Sequence, residues 1–581
     1  MTSLRILFLV SAHNGLSQRA GIELSELGHA VTVAVVDSAA AMETAVAEHH
    51  PELIVCPMLK KMIPESIWSE HRCLILHPGP MGDRGPSSLD WAIELAADEW
   101  GVTVLQATGD VDAGDVWATR TFPIGGASKS GLYRHQVRRA AIEAIVEAVD
   151  KVAQGLERPR RVEPGDPRTV GRPRPLMTQD VRTIDWRSDG TEAVMRKIRA
   201  AEGHPGVLDE VGGTAFHLFG AHTERALRGR PGEIIAQRDG AICRATADGA
   251  VWITQLKQAA TPDAPSLKLP AARALALAGH ELDVPEALVP LHAPLPDGQT
   301  YREIAYEEHA GVGYLRFEFY NGAMSIEQCR RLLDAYEYAC SLRRTKVIVL
   351  MGGQDFFSNG IHLNVIEAAD DPAAESWLNL HAIDDVVRGI VETDSHLVIS
   401  ALAGDAGAGG VPLALAADHV AAHEDVVLNP YYGHMGGLYG SEYWTYLLPR
   451  RVGAAATARL VEPPYTPVGA HEAVRIGLLD AAFGTSAEAF HAWTRDYAER
   501  LAHRVEAEGL LEQKRRRRAR DERIKPLQAY RTEELARSHA CFFGPDRSYH
   551  EARRRFCHKL GGARVIAPRA EYVAPILTQS A

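Results

Sequence analysis

The chain has 581 residues, too many for one hydrophobic core, and therefore predicts a protein of several domains. Apolar residues make up 46% and charged residues 24%, an ordinary globular composition, and no stretch reaches the ~18 consecutive apolar residues that a membrane span requires. The net charge of −12 argues against nucleic-acid binding, because phosphate backbones attract basic surfaces, and favours small-molecule substrates.

The start of the chain and the cysteines indicate the compartment and the metal content. The first predicted strand begins at Arg5 with no basic leader or apolar signal segment before it, so we expect a cytoplasmic protein. The seven cysteines stand singly with no Cys-x-x-Cys pair, which argues against a structural zinc site or a disulfide framework. We therefore predict no metal site.

The N-terminal part alternates apolar strands with helical stretches. This alternation is typical of an α/β domain in which helices cover a parallel sheet, and we bound that domain at residues 1–175. The predicted strands cover residues 6–10, 31–36, 53–56, 73–76 and 102–107.

The middle of the chain predicts two further domains. Short strands and Gly turns indicate a small β-domain, bounded at 176–270, and a Pro/Ala-rich passage over 271–300 indicates a linker. Strand–helix alternation resumes with a strand over 312–319 and predicts a second α/β domain over 301–490.

The C-terminal region, residues 491–581, is charged and predicted to be helical. It contains the run Lys514-Arg515-Arg516-Arg517-Arg518, followed by Asp521 and Glu522. Two interpretations stay open for this run: a solvated helix face with neighbouring ion pairs, or a contact surface for a phosphate-bearing ligand or an acidic partner.

Two motifs of the N-terminal domain combine a histidine with a carboxylate. His77 stands in Leu74-Ile75-Leu76-His77-Pro78, and Asp112 opens Asp112-Ala113-Gly114-Asp115. Both are predicted to follow strand C-termini, where open α/β sheets place ligands. Such a pair can manage the proton transfers of acyl transfer while the Asp holds the imidazole.

These motifs resemble those of the folate-dependent formyltransferases, over roughly residues 1 to 260. The resemblance implies a Rossmann-like parallel sheet with an OB-like β-domain after it, 10-formyltetrahydrofolate as the formyl donor, and His77 and Asp112 as catalytic residues. The position of that family's catalytic Asn holds Ile75 here, whose aliphatic side chain cannot polarise the formyl oxygen. An acceptor that is easier to acylate than an amine, such as a thiol, fits this change.

Two other polar residues are candidates for the same site. Gln18 and Arg134 are placed by the resemblance near the folate or the acceptor, where they would bind substrate. The alternative is that both are ordinary polar residues of the surface.

Gly-rich loops punctuate the second α/β domain at 352–363 and 404–410. Such loops expose backbone N–H groups, and two of them directed at one oxygen form an oxyanion hole without side chains. In this order the loops resemble the crotonase (enoyl-CoA hydratase/isomerase) superfamily, over roughly residues 300 to 500. The resemblance implies a crotonase fold that binds an acyl-coenzyme A thioester, with the carbonyl oxygen on the amides of Ile361 and Gly409. It also places Asn321 and Gly360 among the residues that bind the coenzyme.

The acid/base glutamates of the hydratases do not carry over, because Pro412 and Tyr432 occupy their positions. Hydration of an enoyl thioester is therefore not expected. Glu442 lies in an aromatic segment, and if buried there it would have a raised pKa and could move protons near neutral pH. The alternative is a Glu442 paired with a nearby Arg. We assign Tyr432 and Glu442 to the catalytic residues.

The order of formyltransferase, β-domain, crotonase domain and charged helical tail resembles the HypX (HoxX) family of hydrogenase maturation proteins over essentially the whole chain. The resemblance implies formyl transfer from 10-formyltetrahydrofolate to coenzyme A, followed by decarbonylation of formyl-CoA to carbon monoxide and coenzyme A. The carbon monoxide would supply the iron of nickel-iron hydrogenases. The implied partners are hydrogenase maturation or iron-centre assembly proteins, with neither nucleic acid nor a membrane.

Two other functions stay open. One is a formyltransferase that acts on an amine and carries a separate coenzyme A activity. The other is a scaffold whose degenerate sites bind folate and coenzyme A ligands only to regulate the assembly of another enzyme. Turnover separates them from the main interpretation, since a scaffold binds both ligands and consumes neither.

Overall fold

The computed structural model describes residues 2–155, 159–161, 166–260, 266–294, 299–463, 467–503, 507–560 and 564–566. These residues divide into two compact units. The first holds residues up to 185, residues 192–209 and the strand at 564–566, and the second holds 186–191 and 210–560. No helix in the described ranges is both long and apolar enough to cross a bilayer.

The first unit is built on one sheet. Its strands are β1 (Arg5–Val10), β2 (Ala30–Val35), β3 (Leu53–Cys56), β4 (Cys73–His77), β5 (Glu99–Gln106), β6 (Val116–Pro123) and, from the end of the described chain, β23 (Arg564–Ile566). They lie in the order β23-β2-β1-β3-β4-β5-β6. The predicted parallel sheet is confirmed for β2, β1, β3 and β4. The strand predicted over 102–107 is β5, which runs antiparallel to β4 and not parallel to it, and the structure adds β6 and β23 as antiparallel strands at the two edges.

Helices cover both faces of this sheet. Along β1, Ile6 and Phe8 pack into one apolar cluster and Leu7 and Leu9 into another, because successive side chains of a strand point to opposite faces. The helices of this part of the chain are α1 (Gly15–Glu26), α2 (Ala39–His49), α3 (Glu65–Trp68), α4 (Ser88–Glu94), α5 (Lys129–Arg134), α6 (Gln136–Ala153), α7 (Gln179–Arg182) and α8 (Thr191–Ala201).

The predicted small β-domain is an antiparallel sheet. Its strands are β7 (Val207–Val211), β8 (Thr214–Glu224), β9 (Ile234–Arg238), β10 (Ala241–Ala245), β11 (Ala250–Gln258) and β12 (Lys268–Pro270). They lie in the order β7-β8-β11-β10-β9, and β12 pairs with β11 before the helix α9 (Ala271–Leu277). Trp252 of β11 is fully buried, and its indole N–H donates to Glu224 at 2.8 Å.

Two sheets form the crotonase-like part. The larger sheet contains β13 (Ile304–His309), β14 (Val312–Phe317), β15 (Val347–Met351), β17 (Leu397–Leu402), β19 (His419–Ala422) and β22 (Ala481–Ala482), in that order. The smaller sheet contains β16 (Phe356–Ser358), β18 (Asp405–Gly407), β20 (Val427–Asn429) and β21 (Val468–Gly469), in that order. Since β15, β17 and β19 are each followed by a short strand of the smaller sheet, the loops after β16 and β18 come together.

Helices surround these sheets and form the C-terminal region. They are α10 (Ile326–Ser341), α11 (Leu363–Glu367), α12 (Pro372–Glu392), α13 (Gly410–Leu415), α14 (Trp444–Val461), α15 (Ala470–Arg475), α16 (Ala487–His503), α17 (Ala507–Ile524), α18 (Leu527–Phe543) and α19 (Ser548–Cys557). The helical C-terminal region is confirmed, although the strand β23 within its predicted bounds of 491–581 was not predicted.

The basic run lies on α17 and makes contacts within the protein. Lys514 is buried and donates to Asp418 at 2.6 Å, and Arg517 lies 3.4 Å from the same carboxylate. Arg516 and Arg518 pair with glutamates one turn away on their own helix. These contacts favour the interpretation of an ion-paired helix face.

Candidate active sites

The structure brings His77 and Asp112 together, as the sequence predicts. His77 is the last residue of β4, and only 3% of it is exposed. Its Nδ1 lies 3.3 Å from Asp112 Oδ2, and its Nε2 lies 2.9 Å from Asp83 Oδ2. The imidazole therefore stands between two carboxylates, of which the sequence predicted one.

Asp112 reaches His77 along a different path from the predicted one. β5 runs antiparallel to β4, so its last residue, Gln106, pairs with Leu74 and not with the end of β4. The loop after β5 returns to His77, with Asp112 in the left-handed region at φ 50. A Cβ on Gly114 of the same motif would overlap the Gln106 carbonyl, so only glycine fits this return.

Asp83 is the residue of this site that sequence reasoning missed. It lies in the turn Gly82-Asp83-Arg84-Gly85, and its side chain is completely buried. Its other oxygen, Oδ1, lies 3.4 Å from Arg174 Nε. A Cβ on Gly79 would overlap both Asp83 and the His77 ring, so Gly79 permits their contact. An acidic residue between glycines, five positions after His77-Pro78, was the available signal.

The two carboxylates keep His77 charged. Burial disfavours the imidazolium, but hydrogen bonds and charges from Asp112 and Asp83 outweigh it and raise the pKa of His77 to about 9. Burial also works against the charged form of Asp112, yet His77 and the Gly85 amide hold the pKa of Asp112 below its usual value. The site is therefore an ion pair at neutral pH.

The other predicted residues of the first site lie on separate elements. Ile75 is half-buried in β4, two positions before His77, and pairs with Leu105. Gln18 lies on α1, where its side-chain amide donates to the His13 carbonyl at 3.0 Å. Arg134 is the last residue of α5. The roles of Gln18 and Arg134 stay predictions.

The second site begins with two backbone amides. Gly360 follows β16 at φ +77, and a Cβ on it would lie 3.2 Å from the Gly409 amide nitrogen at the start of α13. The peptide that carries the Ile361 N–H thus lies beside that of Gly409. Neither N–H donates a hydrogen bond to another described residue. Two such N–H groups fit a thioester carbonyl oxygen.

Asn321 belongs to the same group of loops. It has φ 55, and its carbonyl accepts a hydrogen bond from the Asn359 side-chain amide at 2.8 Å. The Asn359 amide N–H in turn donates to the Gly322 carbonyl at 2.7 Å, and the Met324 amide donates to the Gly360 carbonyl at 2.9 Å. The contact of Asn321 with coenzyme A stays a prediction.

Glu442 lies against these amides. Its carboxylate is so close to Gly409 that a Cβ there would overlap it. Only 1% of Glu442 is exposed, and its Oε2 accepts hydrogen bonds from the Tyr432 hydroxyl at 2.9 Å and the Ser441 amide at 3.0 Å. Within the described residues no arginine contacts this carboxylate, which removes the ion-paired alternative.

The surroundings of Glu442 favour its neutral form. Burial and the nearby charge of Asp384 raise the pKa of Glu442 to about 8, against the opposing hydrogen bonds of Tyr432 and Ser441. Burial and the Glu442 charge raise the pKa of Tyr432 well above its usual value. Glu442 is thus the group of this pair that can exchange a proton near neutral pH.

The backbone at Glu442 is strained. Glu442 and Tyr443 adopt φ 61 and φ 57, the left-handed region that L-residues avoid at a cost of about 1 to 3 kcal/mol each. Two buried carboxylates hold this turn: Asp384 Oδ1 accepts from the Glu442 amide at 2.7 Å, and Glu534 Oε2 accepts from the Tyr443 amide at 2.9 Å.

Sequence reasoning missed both of these carboxylates. Asp384 lies on the buried face of α12 between Ile383 and Val387, and Glu534 lies on the buried face of α18 beside Leu535. Buried acids require partners, so an acidic residue on an apolar helix stripe was the available signal. The partners themselves lie far away in sequence.

Family models cover most of the chain. The formyl transferase model matches residues 5–149, the formyl transferase C-terminal domain model matches 176–266, and the enoyl-CoA hydratase/isomerase model matches 307–544. Methionyl-tRNA formyltransferase of Ralstonia nicotianae is 25% identical over 38% of this chain and 68% of its own length.

One relative extends over all of these regions. The hydrogenase maturation factor HoxX of Bradyrhizobium diazoefficiens is 47% identical over 97% of this chain and 96% of its own. The chain belongs to the HypX/HoxX family of hydrogenase maturation factors. HypX of Aquifex aeolicus, crystallised with tetrahydrofolic acid, is 42% identical with a TM-score of 0.91 over 97% of each chain. This HypX/HoxX chain thus combines formyl transferase and enoyl-CoA hydratase/isomerase domains.

Proposed function

We propose that this HypX/HoxX protein makes carbon monoxide for the iron of nickel-iron hydrogenase in two steps. The first transfers the formyl group of 10-formyltetrahydrofolate to the thiol of coenzyme A. The second splits formyl-CoA into carbon monoxide and coenzyme A. Tetrahydrofolic acid in the Aquifex aeolicus relative supports the folate donor, and the enoyl-CoA hydratase/isomerase match supports a coenzyme A thioester.

The first step is assigned to His77. In its charged form it is the source of the proton that the folate nitrogen takes as the bond from that nitrogen to the formyl carbon breaks. Since both ring N–H groups face carboxylates, the proton passes through Asp112, whose side chain is the more exposed of the two. The coenzyme A sulfur forms the new bond to carbon, and the thiol proton replaces the one that His77 gave. The positive charge of the ring also stabilises the negative formyl oxygen, which Ile75 cannot do in place of the missing Asn. Asp112 and Asp83 keep the ring charged and oriented.

The second step is assigned to Glu442. The amides of Ile361 and Gly409 hold the formyl oxygen, and the Glu442 carboxylate removes the formyl proton. The carbon–sulfur bond breaks with its electron pair on sulfur, carbon monoxide leaves, and Glu442 returns the proton to the sulfur. Tyr432, which donates to Glu442 at 2.9 Å, orients the carboxylate.

One observation carries the proposal: a buried, protonatable Glu442 lies against an amide pair in a site whose hydratase positions hold Pro412 and Tyr432. A formyl thioester has no α-carbon, so hydratase glutamates would have no proton to exchange on it. The same absence leaves the formyl hydrogen as the proton next to the thioester carbonyl that a base can reach.

The test supplies 10-formyltetrahydrofolate, labelled in its formyl carbon, together with coenzyme A. Free tetrahydrofolate and labelled carbon monoxide trapped on reduced haemoglobin are followed for the wild type, His77→Ala and Glu442→Ala. We expect carbon monoxide from the wild type alone, and formyl-CoA to accumulate only with Glu442→Ala. Formate or a formylated amine in place of carbon monoxide would instead favour an amine acceptor, and binding of both ligands without turnover would favour a scaffold.

A further inference from the structure

A helix far away in sequence fixes the turn that carries Glu442. The buried carboxylate of Glu534, on α18, accepts hydrogen bonds from the Tyr443 amide at 2.9 Å and from the Thr445 amide at 2.8 Å. The Thr445 hydroxyl donates to the same carboxylate. One side chain of the C-terminal region therefore binds the turn on the C-terminal side of Glu442.

Asp384 of α12 binds the other side of the same turn. Its two oxygens accept hydrogen bonds from the Glu442 amide at 2.7 Å and from the Ser441 hydroxyl at 2.8 Å. The same hydroxyl lies 3.4 Å from Glu534, so it bridges the two carboxylates. Arg531, one helical turn before Glu534, lies 3.4 Å from Asp384 and offsets part of the buried negative charge.

We propose that Glu534 is a positioning residue for Glu442. By binding the Tyr443 and Thr445 amides it keeps the turn in the left-handed conformation that places the Glu442 carboxylate against Gly409. The inference rests on the proposed decarbonylation and adds a residue of the C-terminal helices to those that position Glu442. Glu534 makes its contacts with the turn and acts on the substrate only through it.

The charge of Glu534 gives this role a signature that a purely structural residue lacks. After burial, the charges of Asp384 and Glu534 both raise the pKa of Glu442. Burial raises the pKa of Glu534 itself to about 8, so its charge develops over the same pH range in which Glu442 ionises. Replacing Glu534 by Gln removes that charge and therefore lowers the pKa of Glu442. The titratable or charged groups that face Glu442 or its turn are Tyr443 of the turn itself and, from the loop after β20, α10, α12 and α18, Tyr432, Cys329, Asp384, Arg531 and Glu534.

The experiment compares Glu534→Gln and Glu534→Ala with Glu533→Gln in the full chain. Glu533 is the matched control, because it is the adjacent residue of α18, its side chain is 64% exposed, and it pairs with Lys525 at the surface. Three quantities are measured: deuterium exchange of the peptide that contains Ser441 to Thr445, carbon monoxide release from added formyl-CoA over a range of pH, and formyl transfer from the folate donor.

We expect faster deuterium exchange in both Glu534 variants, because the Gln NH₂ group would face an amide donor and Ala removes the acceptor. Misplacement of Glu442 should lower carbon monoxide release by about 100-fold, while formyl transfer keeps its rate. In Glu534→Gln the rise of carbon monoxide release with pH should begin at a lower pH. Glu533→Gln should change none of these quantities.

Unchanged exchange and unchanged carbon monoxide release in Glu534→Gln would overturn the inference. A slower release with an unmoved pH dependence would also overturn it, since Glu534 would then support the fold alone. If the wild type released no carbon monoxide while deuterium exchange at the turn still rose in the variants, the proposed function would fail. The conclusion that Glu534 holds the turn would then remain. Glu534→Gln preserves the side-chain volume and keeps the test informative if Glu534→Ala does not fold.

Discussion

Each of the two sites places carboxylates around one titratable side chain, and the charge state that they favour differs between the sites. At the end of β4, Asp83 and Asp112 raise the pKa of His77 to about 9 and so favour its cation. At the turn before α14, burial and Asp384 raise the pKa of Glu442 to about 8 and so favour its neutral acid. The same negative field thus keeps His77 a charged proton donor and makes the carboxylate of Glu442, once ionised, a stronger base than an ordinary carboxylate.

The sites also differ in what holds them. His77 and its carboxylates lie close together in sequence, between β4 and the loop after β5, and contact each other directly. The surroundings of Glu442 come from loops after three strands and from two helices, and backbone amides form part of the site. One stretch of the chain therefore supplies the first site, and segments far apart in sequence supply the second.

The strongest test of this contrast is Glu442→Gln. The amide has the same shape and cannot accept the formyl proton, so carbon monoxide release should fall by about 10²- to 10⁴-fold. Formyl transfer should continue and formyl-CoA should accumulate, as measured by chromatography of the thioester. Release at the wild-type rate would remove Glu442 from the mechanism.

His77→Ala should have the converse effect. Loss of the charged donor should slow formyl transfer by about 10²- to 10⁴-fold, with release from added formyl-CoA unchanged. His71→Ala, at a half-buried histidine just before β4, is the control and should leave both rates unchanged. If His77→Ala also slowed release from added formyl-CoA, the two sites would not act independently.

Gly409→Ala tests whether the Glu442 carboxylate must lie beside the amide pair, because the substitution keeps both amides. The new Cβ would overlap the Glu442 carboxylate and displace it, so carbon monoxide release should fall by about 100-fold. Gly509→Ala is the control, since a Cβ on that residue of α17 meets open space. An active Gly409→Ala would show that Glu442 does not need its place beside Gly409.

Asp83→Asn sharpens the comparison with a smaller effect. Formyl transfer in the wild type should fall as the pH rises through about 9, where His77 loses its proton, and carbon monoxide release should rise through about 8, where Glu442 loses its own. Removal of the Asp83 charge should shift the fall of formyl transfer to lower pH and leave the pH dependence of carbon monoxide release unchanged. NMR titration of the His77 ring measures the same change directly, and an unmoved His77 titration would contradict it.

Much of this arrangement was predictable from sequence because it is local. The strand before His77 and the Gly-rich loops around Gly360 and Gly409 follow from apolar runs and glycines. The roles of Asp112 and of the two amides came from the resemblance to the formyltransferases and the crotonases. The predicted fold and the family were confirmed.

The rest of the arrangement depends on which strands pair and in which direction, and the sequence does not show this. The direction of β5 decides how Asp112 returns to His77, and an antiparallel strand reads like a parallel one along the chain. The pairing of β23 with β2 joins residues at opposite ends of the sequence. Periodicity gives the type of an element and not its neighbour.

The sequence by itself determined which chemical groups this protein carries: a His–Asp motif without its Asn, an amide pair without the hydratase glutamates, and one glutamate among aromatic residues. Only the tertiary structure decided their protonation, because Asp83, Asp384 and Glu534 act through distances of a few Å. A pKa depends on burial and on charges in space, and folding brings those charges together from distant parts of the chain.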